Sequence, residues 1–285
     1  MCALRDLDSI QLYKQLLENS EKRLMEFTKN FPRQERQFTF VKFNEIAFQK
    51  MYEDLKDVIP RQQFFSDVPD LKEVCKGCWG FYLKPRNKSL KFLDIRLGKL
   101  FEDILRDFFI SIGLQCVRFD DMGFRKNYPD LIIIDNEKPI AFLEIKYLTA
   151  PFVMIFRKVP GRECYEGSTT LDADKKLEAQ RDIVENDIKV PVYYVYWLDY
   201  PCIKGIFFMP SEEVFSYVDE TKLEWTRKER EGNFVHAKGK RIRLGHTEKI
   251  YLPLLKMGNF EELVQTIQKL IEKPNEDNLN KKNGI

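Results

Sequence analysis

The sequence predicts an α/β fold: a mixed β-sheet flanked by helices, with an added amino-terminal helical layer. Two observations lead to this prediction. Apolar residues recur at helical spacing through roughly the first 110 residues. From Leu114 onward, short runs rich in Ile, Leu, Val and Phe alternate with helical segments. Strands that alternate with helices in this way favour a sheet packed between helices.

Three helices are predicted before the first strand. The first two carry apolar residues at helical spacing over residues 10–24 and 43–55. The third helix runs from about Leu93 to Ile112, and Gly113 is its predicted end because glycine commonly terminates helices. Glu102 falls at the edge of the apolar stripe of this third helix, not on its solvated face.

The rest of the chain predicts strands and helices in alternation. The first three strands are predicted over Leu114–Phe119, Asp130–Asp135 and Ile140–Lys146. A helix over Leu171–Asn186 follows, with Thr169 and Asp172 as a capping-box start. The remaining predicted elements are strands over Val190–Leu198 and Ile203–Phe208, a short helix from Ser211 and an amphipathic helix over Phe260–Ile271.

The chain contains no internal repeat and no Gly/Ser-rich linker, so the sequence predicts one domain over residues 1–273. Within it we expect helical additions over 1–91, a core over 92–210, and a basic hairpin and final helix over 211–273. Residues 274–285 are polar and predict a flexible tail.

Composition excludes several classes of protein. Of 285 residues, 44% are hydrophobic and 23 are Phe, which is too apolar for a disordered chain. No apolar run approaches the ~18 residues of a membrane span, and the amino end lacks the apolar core of a secretory signal. We therefore expect a cytoplasmic protein that does not associate with membranes. The net charge of +2 does not indicate a partner.

Six cysteines are too few and too scattered for a disulfide framework. The close pair Cys75 and Cys78 lacks a second pair of ligands that would complete a zinc site. Two ordinary thiols are expected there.

The chemically informative segment is the pair of predicted strands that contains Asp130 and Glu144. A three-residue hairpin loop over 136–138 would place Asp130 opposite Glu144, with facing Cβ atoms ~4.5–5.5 Å apart. Lys146 lies two residues beyond Glu144 and so points to the same face. A two-residue loop would shift the register and break this pairing.

Two carboxylates held this close repel each other unless a cation or a proton intervenes. Hard oxygen ligands without a nearby His or Cys favour Mg²⁺, which could hold a phosphate oxygen. Lys146 could then orient water or stabilise charge on the phosphate. A structural salt bridge, with Lys146 neutralising one carboxylate, is the alternative. Spacing alone leaves both interpretations open.

The segment Pro129-Asp130 followed by Glu144-Ile145-Lys146 resembles the PD-(D/E)xK nuclease motif. The upstream helix is also similar to the first core helix of that family, through Gly98-Lys99-Leu100-Phe101-Glu102, Leu105 and Gly113. The helix with Gln180 and the aromatic strand Val192–Trp197 follow in the order of the family. The resemblance covers about residues 92–210 and implies a restriction-endonuclease-like mixed sheet.

The resemblance also implies a Mg²⁺-dependent nuclease and a role for each motif residue. Asp130 and Glu144 would be metal ligands, with the Ile145 carbonyl as a third. Lys146 would be the catalytic lysine. Glu102 would be an accessory ligand or would bind the attacking water.

A chain of this length with helices before the core is most similar to a type II restriction endonuclease, which cuts double-stranded DNA at a short specific sequence. This similarity implies a homodimer and a cognate DNA methyltransferase that acts on the same site. The alternatives are a repair, recombination or transposon-end nuclease with the same core, or a DNA-binding protein without activity.

Two segments are locally basic, Lys76–Lys99 and Arg227–Lys249. Within the second, residues 234–244 predict a hairpin that turns at Gly239. A basic two-stranded ribbon fits the major groove of DNA. The predicted DNA contacts are Lys238, Lys240, Arg241 and Arg243, although charged hairpins are also common as solvated surfaces. Residues 157–170 are a second candidate, as a mobile loop facing DNA.

Overall fold

A computed structural model describes residues 7–28, 58–68, 72, 91–119, 127–148, 152–173, 175–200, 203–221, 224–226, 234–243 and 248–272. The helices in these ranges are α1 (Ser9–Thr28), α2 (Arg61–Asp67), α3 (Lys91–Ser111), α4 (Lys175–Asn186), α5 (Ser211–Thr221) and α6 (Phe260–Glu272). None of them is both long enough and apolar enough to cross a membrane.

The strands of these described ranges fall into three sheets. They are β1 (Gln115–Arg118), β2 (Leu131–Asp135), β3 (Lys138–Leu148), β4 (Thr170–Asp172), β5 (Val192–Asp199), β6 (Lys204–Pro210), β7 (Glu224–Thr226), β8 (Phe234–Ala237), β9 (Lys240–Arg243) and β10 (Glu248–Tyr251). The largest sheet has the order β1-β2-β3-β5-β6, and only its β3–β5 pair is parallel. A five-stranded mixed sheet with helices confirms the predicted α/β class.

Both faces of the five-stranded sheet are buried. One face packs against α1, α3 and α6, and Ile145 of β3 belongs to this layer. The other face packs against α5 and against residues of the smaller sheet β4-β10-β7. Because side chains alternate along a strand, Glu144 and Lys146 lie on the face opposite to Ile145.

Helix α3 forms as the sequence predicts. Its apolar stripe is buried against the sheet (Phe101, Ile104, Leu105, Phe108 and Ile112). At its end Gly113 has a φ of 88°, and the amides of Gly113 and Leu114 donate to the carbonyls of Ile110 and Phe109, each at 3.0 Å. This pair of bonds is a Schellman cap, which uses the left-handed backbone that glycine adopts readily.

The predicted start of the helix over Leu171–Asn186 is wrong. Residues Thr170–Asp172 form strand β4 instead, and α4 begins at Lys175. The Thr169 hydroxyl donates to the carbonyl of Leu252 at 2.5 Å, and Leu171 is buried where β4 pairs with β10. Tertiary pairing with β10 therefore outweighs the local capping pattern.

Several predictions concern residues outside the described ranges. They are the helix over 43–55, the Cys75 and Cys78 pair, most of the basic segment Lys76–Lys99, residues 227–233 and 244–247 of the second basic segment, and the tail over 274–285.

Candidate active site

The β2–β3 hairpin ends in a two-residue turn, so the predicted three-residue loop is wrong. Asn136 and Glu137 have φ values of 47° and 63°, and Asp135 pairs directly with Lys138. Positive φ at both central residues is the mark of a type I′ turn, whose twist matches the twist of the strands. On its own, this shorter loop would shift the register by one residue.

A β-bulge corrects the shift. Ile140 is an extra residue of β3, and beyond it the strands pair in the predicted register (Ile133 with Ala141, Ile132 with Phe142, Leu131 with Leu143). The predicted register is therefore confirmed over these pairs, although the turn predicted to produce it is wrong. Continued one step to Asp130, just before β2, the same register places Asp130 opposite Glu144.

Asp130 sits just before β2 and receives one hydrogen bond from the neighbouring strand. The backbone amide of Ile145 donates to its Oδ2 at 2.8 Å. Burial raises the pKa of Asp130 well above its usual value, and the charge of Glu144 raises it further, against the opposing effects of Lys146 and of this amide. A negative charge on Asp130 is therefore only partly compensated by the groups around it.

Glu144 is the most enclosed member of the site, with only 2% of the residue exposed. Its Oε1 accepts a hydrogen bond from the Lys146 ammonium, and its Oε2 accepts one from Gln180 Nε2 at 2.7 Å. The Tyr194 hydroxyl donates to Gln180 Oε1 at 2.8 Å and so fixes which end of the amide faces the carboxylate. Helix α4 and strand β5 thereby hold Glu144 in a defined orientation.

Lys146 remains a cation in this environment. Burial acts to lower its pKa, but the charges of Glu144, Asp130 and Glu102 together raise the pKa above its ordinary value. A quarter of the side chain (25%) is exposed to solvent. The ammonium is therefore charged at neutral pH, and part of the lysine side chain reaches the surface.

Glu102 of α3 lies within electrostatic reach of the same carboxylates. Arg118 at the end of β1 donates to Glu102 Oε2 at 2.6 Å and to Asp103 Oδ1 at 2.9 Å. Burial raises the pKa of Glu102, and Glu144 adds to this rise, while Arg118 and Lys99 oppose it. Arg118 thus fixes Glu102 near the site and compensates part of its charge.

The donor set suits a magnesium ion better than a metal that needs a full protein cage. Within the described ranges, no group of three or more Asp, Glu, His or Cys side chains is arranged to hold a metal ion. Mg²⁺ usually retains several waters and needs only one or two carboxylates beside phosphate oxygens. Because amide and carbonyl of one strand residue point to the same edge, the Ile145 carbonyl lies on the side of Asp130. Asp130, Glu144 and the Ile145 carbonyl therefore fit Mg²⁺.

The predicted basic hairpin is confirmed as a hairpin. Strands β8 and β9 pair around Lys238 and Gly239, which have φ values of 51° and 71°. The Lys238, Lys240 and Arg241 side chains are exposed, and the Arg241 guanidinium carbon lies 3.5 Å from the centroid of the Phe234 ring. Arg243 is the last residue of β9. This ribbon is a sheet of its own, separate from the strands that carry Asp130 and Glu144.

The second DNA-facing candidate, residues 157–170, is largely packed into the body of the protein. Arg162 donates to Glu166 Oε2 at 2.5 Å and to the Tyr217 hydroxyl at 2.6 Å. The Tyr165 hydroxyl donates to the Ile59 carbonyl at 2.9 Å. The mobile loop predicted here is therefore wrong for residues 162–170, whereas residues 156–158 are exposed.

Comparison with protein-family models and with curated proteins found no match to this chain. The functional argument therefore rests on the residues of the site and their geometry. Sequence reasoning missed Arg118 and Tyr194, which orient Glu102 and Gln180. The sequence signal for each is a polar group within or at the end of a predicted strand, a pattern that also occurs in strands without a functional role.

Proposed function

We propose that this chain is a Mg²⁺-dependent endonuclease with a restriction-endonuclease-like fold, acting on double-stranded DNA at a specific short sequence as type II restriction enzymes do. The observation that carries the proposal is the convergence of Asp130 and Glu144 on one edge of the β2–β3 pair, with the charged Lys146 beside them.

A purely structural ion pair accounts for only part of this arrangement. Lys146 bonds to Glu144, and a salt bridge would need no second carboxylate. Asp130 nevertheless stands opposite Glu144, where burial and like charge raise its pKa. Two carboxylates beside one ammonium, Glu144 buried and Asp130 half-buried, leave excess negative charge when both are ionised, which favours a site built to receive a divalent cation.

Each residue then has a chemical role. Asp130, Glu144 and the Ile145 carbonyl would hold the cation, and Gln180 keeps Glu144 in place for it. Mg²⁺, when bound, would polarise a phosphate oxygen and lower the pKa of a coordinated water. The Lys146 ammonium would stabilise negative charge that develops on the phosphate. Glu102, held by Arg118, would orient the attacking water through its carboxylate.

The test is a cleavage assay on unmodified plasmid DNA with Mg²⁺ and with chelator. Discrete fragments that require Mg²⁺ and share one end sequence support a type II enzyme. Selective cutting of branched DNA would instead indicate a repair, recombination or transposon-end nuclease. Binding of duplex DNA without cutting in Mg²⁺ or Mn²⁺ would overturn the nuclease proposal and leave a DNA-binding protein.

We further propose a homodimer, because identical subunits that read a palindromic site share its twofold symmetry. On a palindromic duplex, light scattering should give about twice the 34.0 kDa chain mass plus the mass of the duplex. A particle of one chain, both free and bound to DNA, would contradict this prediction. A methyltransferase of the same sequence specificity is the partner that such an enzyme requires, since it protects the host's own DNA from cleavage.

The basic hairpin is proposed as a DNA contact. If Lys238, Lys240, Arg241 and Arg243 neutralise phosphates, each Ala substitution should flatten the plot of log affinity against log salt by about one unit. If one of the arginines instead contacts a base edge, its replacement by Ala should weaken binding by ~1–3 kcal/mol on the cognate sequence alone.

The matched control for this prediction removes the same charge elsewhere. Lys256 and Lys269 are exposed lysines of the carboxyl-terminal region, and Lys256→Ala/Lys269→Ala should leave the salt slope unchanged. Titration of binding by fluorescence anisotropy at several salt concentrations measures both variants. Equal slopes for Lys238→Ala/Lys240→Ala and for this control would show that the hairpin is only a solvated surface.

A further inference from the structure

Tyr196 lies beside Lys146 on the neighbouring strand. Strands β3 and β5 are parallel, with Glu144 next to Tyr194 and Lys146 next to Tyr196. The bond network from Tyr194 through Gln180 to Glu144 shows that these side chains share one face of the sheet. Since alternate residues of a strand point the same way, Tyr196 and Lys146 are on that face as well.

The Tyr196 hydroxyl is a buried polar group without a hydrogen-bond partner in the part of the chain that the structure describes. The residue is 0% exposed, and its hydroxyl has no hydrogen bond to any described residue. Its neighbours on β5 and just beyond are satisfied: Tyr194 donates to Gln180 at 2.8 Å, and Tyr200 donates to the Ser168 carbonyl at 3.1 Å. An unpaired buried hydroxyl is unfavourable and calls for an explanation.

Lys146 needs a second acceptor if the site takes a cation. Its ammonium now bonds to Glu144 Oε1, while Gln180 occupies Glu144 Oε2. A cation shared by Asp130 and Glu144 would compete with the ammonium for Oε1. An ammonium without that bond and still largely buried would be poorly stabilised unless another oxygen were within reach.

We propose that Tyr196 is a positioning residue for Lys146: its phenolic oxygen accepts a hydrogen bond from the Lys146 ammonium when a cation takes Glu144 Oε1. This inference rests on the proposed function, since it needs the cation site formed by Asp130 and Glu144. The proposal gives the buried hydroxyl a partner when the cation is bound, and it accounts for the absence of a partner among the described residues when the cation is not bound.

A double-mutant cycle on cation affinity tests the proposal. Calorimetric titration with Mg²⁺ and Ca²⁺ is made on the full chain, on Tyr196→Phe, on Lys146→Met and on the double variant. Tyr196→Phe should weaken cation affinity roughly five- to tenfold when Lys146 is present and leave it unchanged in the Lys146→Met background. An equal effect in both backgrounds, or no effect in either, overturns the link between Tyr196 and Lys146.

Thermal unfolding without metal separates this role from a structural one. Tyr196→Phe removes an unpaired hydroxyl, so the midpoint should stay the same or rise. The control Tyr200→Phe loses the bond to Ser168 and should lower the midpoint without changing cation affinity. If Tyr196→Phe lowers the midpoint as this control does and leaves cation affinity unchanged, the hydroxyl is structural.

The outcomes also separate this inference from the proposed activity. Cation binding that depends on Asp130, together with the expected cycle but without DNA cleavage, would retain the role of Tyr196 and refute the nuclease. DNA cleavage together with no coupling between Tyr196 and Lys146 in the double-mutant cycle would retain the nuclease and refute the role of Tyr196. Absence of any Asp130-dependent cation binding would refute both.

Discussion

Asp130→Asn, Glu144→Gln and Lys146→Met should each lower the rate of Mg²⁺-dependent plasmid cleavage by about 10²–10³-fold or more. Each variant keeps the size of the side chain and removes one charge from the cluster that we propose to hold the cation and the phosphate. Single-turnover cleavage under saturating enzyme measures the effect on the chemical step, separately from the effect on DNA binding.

Loss of activity in Asp130→Asn should come with a gain in stability of the metal-free protein. Burial and Glu144 raise the pKa of Asp130 above its value in the unfolded chain, ~3.9. The folded state thus holds the Asp130 proton more tightly, and stability present below the unfolded pKa is lost as pH rises through the folded pKa. Asparagine does not titrate, and its side-chain oxygen can still accept the hydrogen bond from the backbone amide of Ile145. In chemical unfolding from pH 4 to pH 9, the free energy of unfolding of the wild type should therefore fall relative to that of Asp130→Asn as the pH rises.

The matched controls lie at the other end of the same hairpin. Asp135→Asn and Lys138→Met remove the same charges close to the turn, where Asp135 bonds only to the exposed Asn136 amide among the described partners. Both variants should cleave DNA at the rate of the unaltered chain. Wild-type cleavage by folded Asp130→Asn, or equal losses in the controls, would contradict the assigned site.

The sequence predicted the register of the strands at the candidate site better than it predicted the turn that joins β2 and β3. Hydrophobic runs and their turns located strands β2 and β3, and the alternation of side chains placed Glu144 and Lys146 on one face. The two-residue turn was missed because its second central residue is Glu137, which has a positive φ. Glycine normally occupies this position in a type I′ turn and marks the turn in a sequence. The bulge at Ile140 was missed for a similar reason, since nothing in an apolar strand marks its extra residue.

What sequence patterns could not predict were contacts between elements far apart in the chain. Strands β4, β7 and β10 have only three or four residues each. Strand β10 pairs with β4 across 77–81 positions and with β7 across 22–26 positions. Their pairing depends on where the larger sheet places them, not on a local period. The same holds for Arg118, whose bond to Glu102 links a strand end to a helix.

Lys204→Met should lower the free energy of unfolding by ~3–5 kcal/mol, the largest stability effect we expect from a single charged residue. Lys204 and Asp199 form an ion pair in which the two residues are 1% and 3% exposed. The other Asp199 oxygen accepts a hydrogen bond from Tyr147, next to Lys146, at 3.2 Å. Without Lys204, the Asp199 carboxylate would stay buried without its counter-charge.

The Lys204–Asp199 pair lies at the end of β5, where Asp199 bonds to Tyr147 of β3. Its loss should therefore affect activity as well as stability. The Tyr147 ring stacks on Phe101, with ring centroids 3.4 Å apart, and Phe101 immediately precedes Glu102 on α3. A displaced Tyr147 would therefore disturb both the strand of Lys146 and the helix of Glu102. Cleavage at a temperature where the variant is still folded should be slower than in the unaltered chain.

Two comparisons make this prediction specific to a buried charge. Replacing both partners, Asp199→Leu/Lys204→Met, should recover most of the stability, because an apolar pair leaves no charge to solvate. Arg23→Ala breaks a half-exposed bridge to Asp107 of 2.7 Å and should cost less than ~1 kcal/mol. Denaturant unfolding followed by circular dichroism measures all three variants. A double variant no more stable than Lys204→Met would show that packing around the lysine stem, not the unpaired carboxylate, causes the loss.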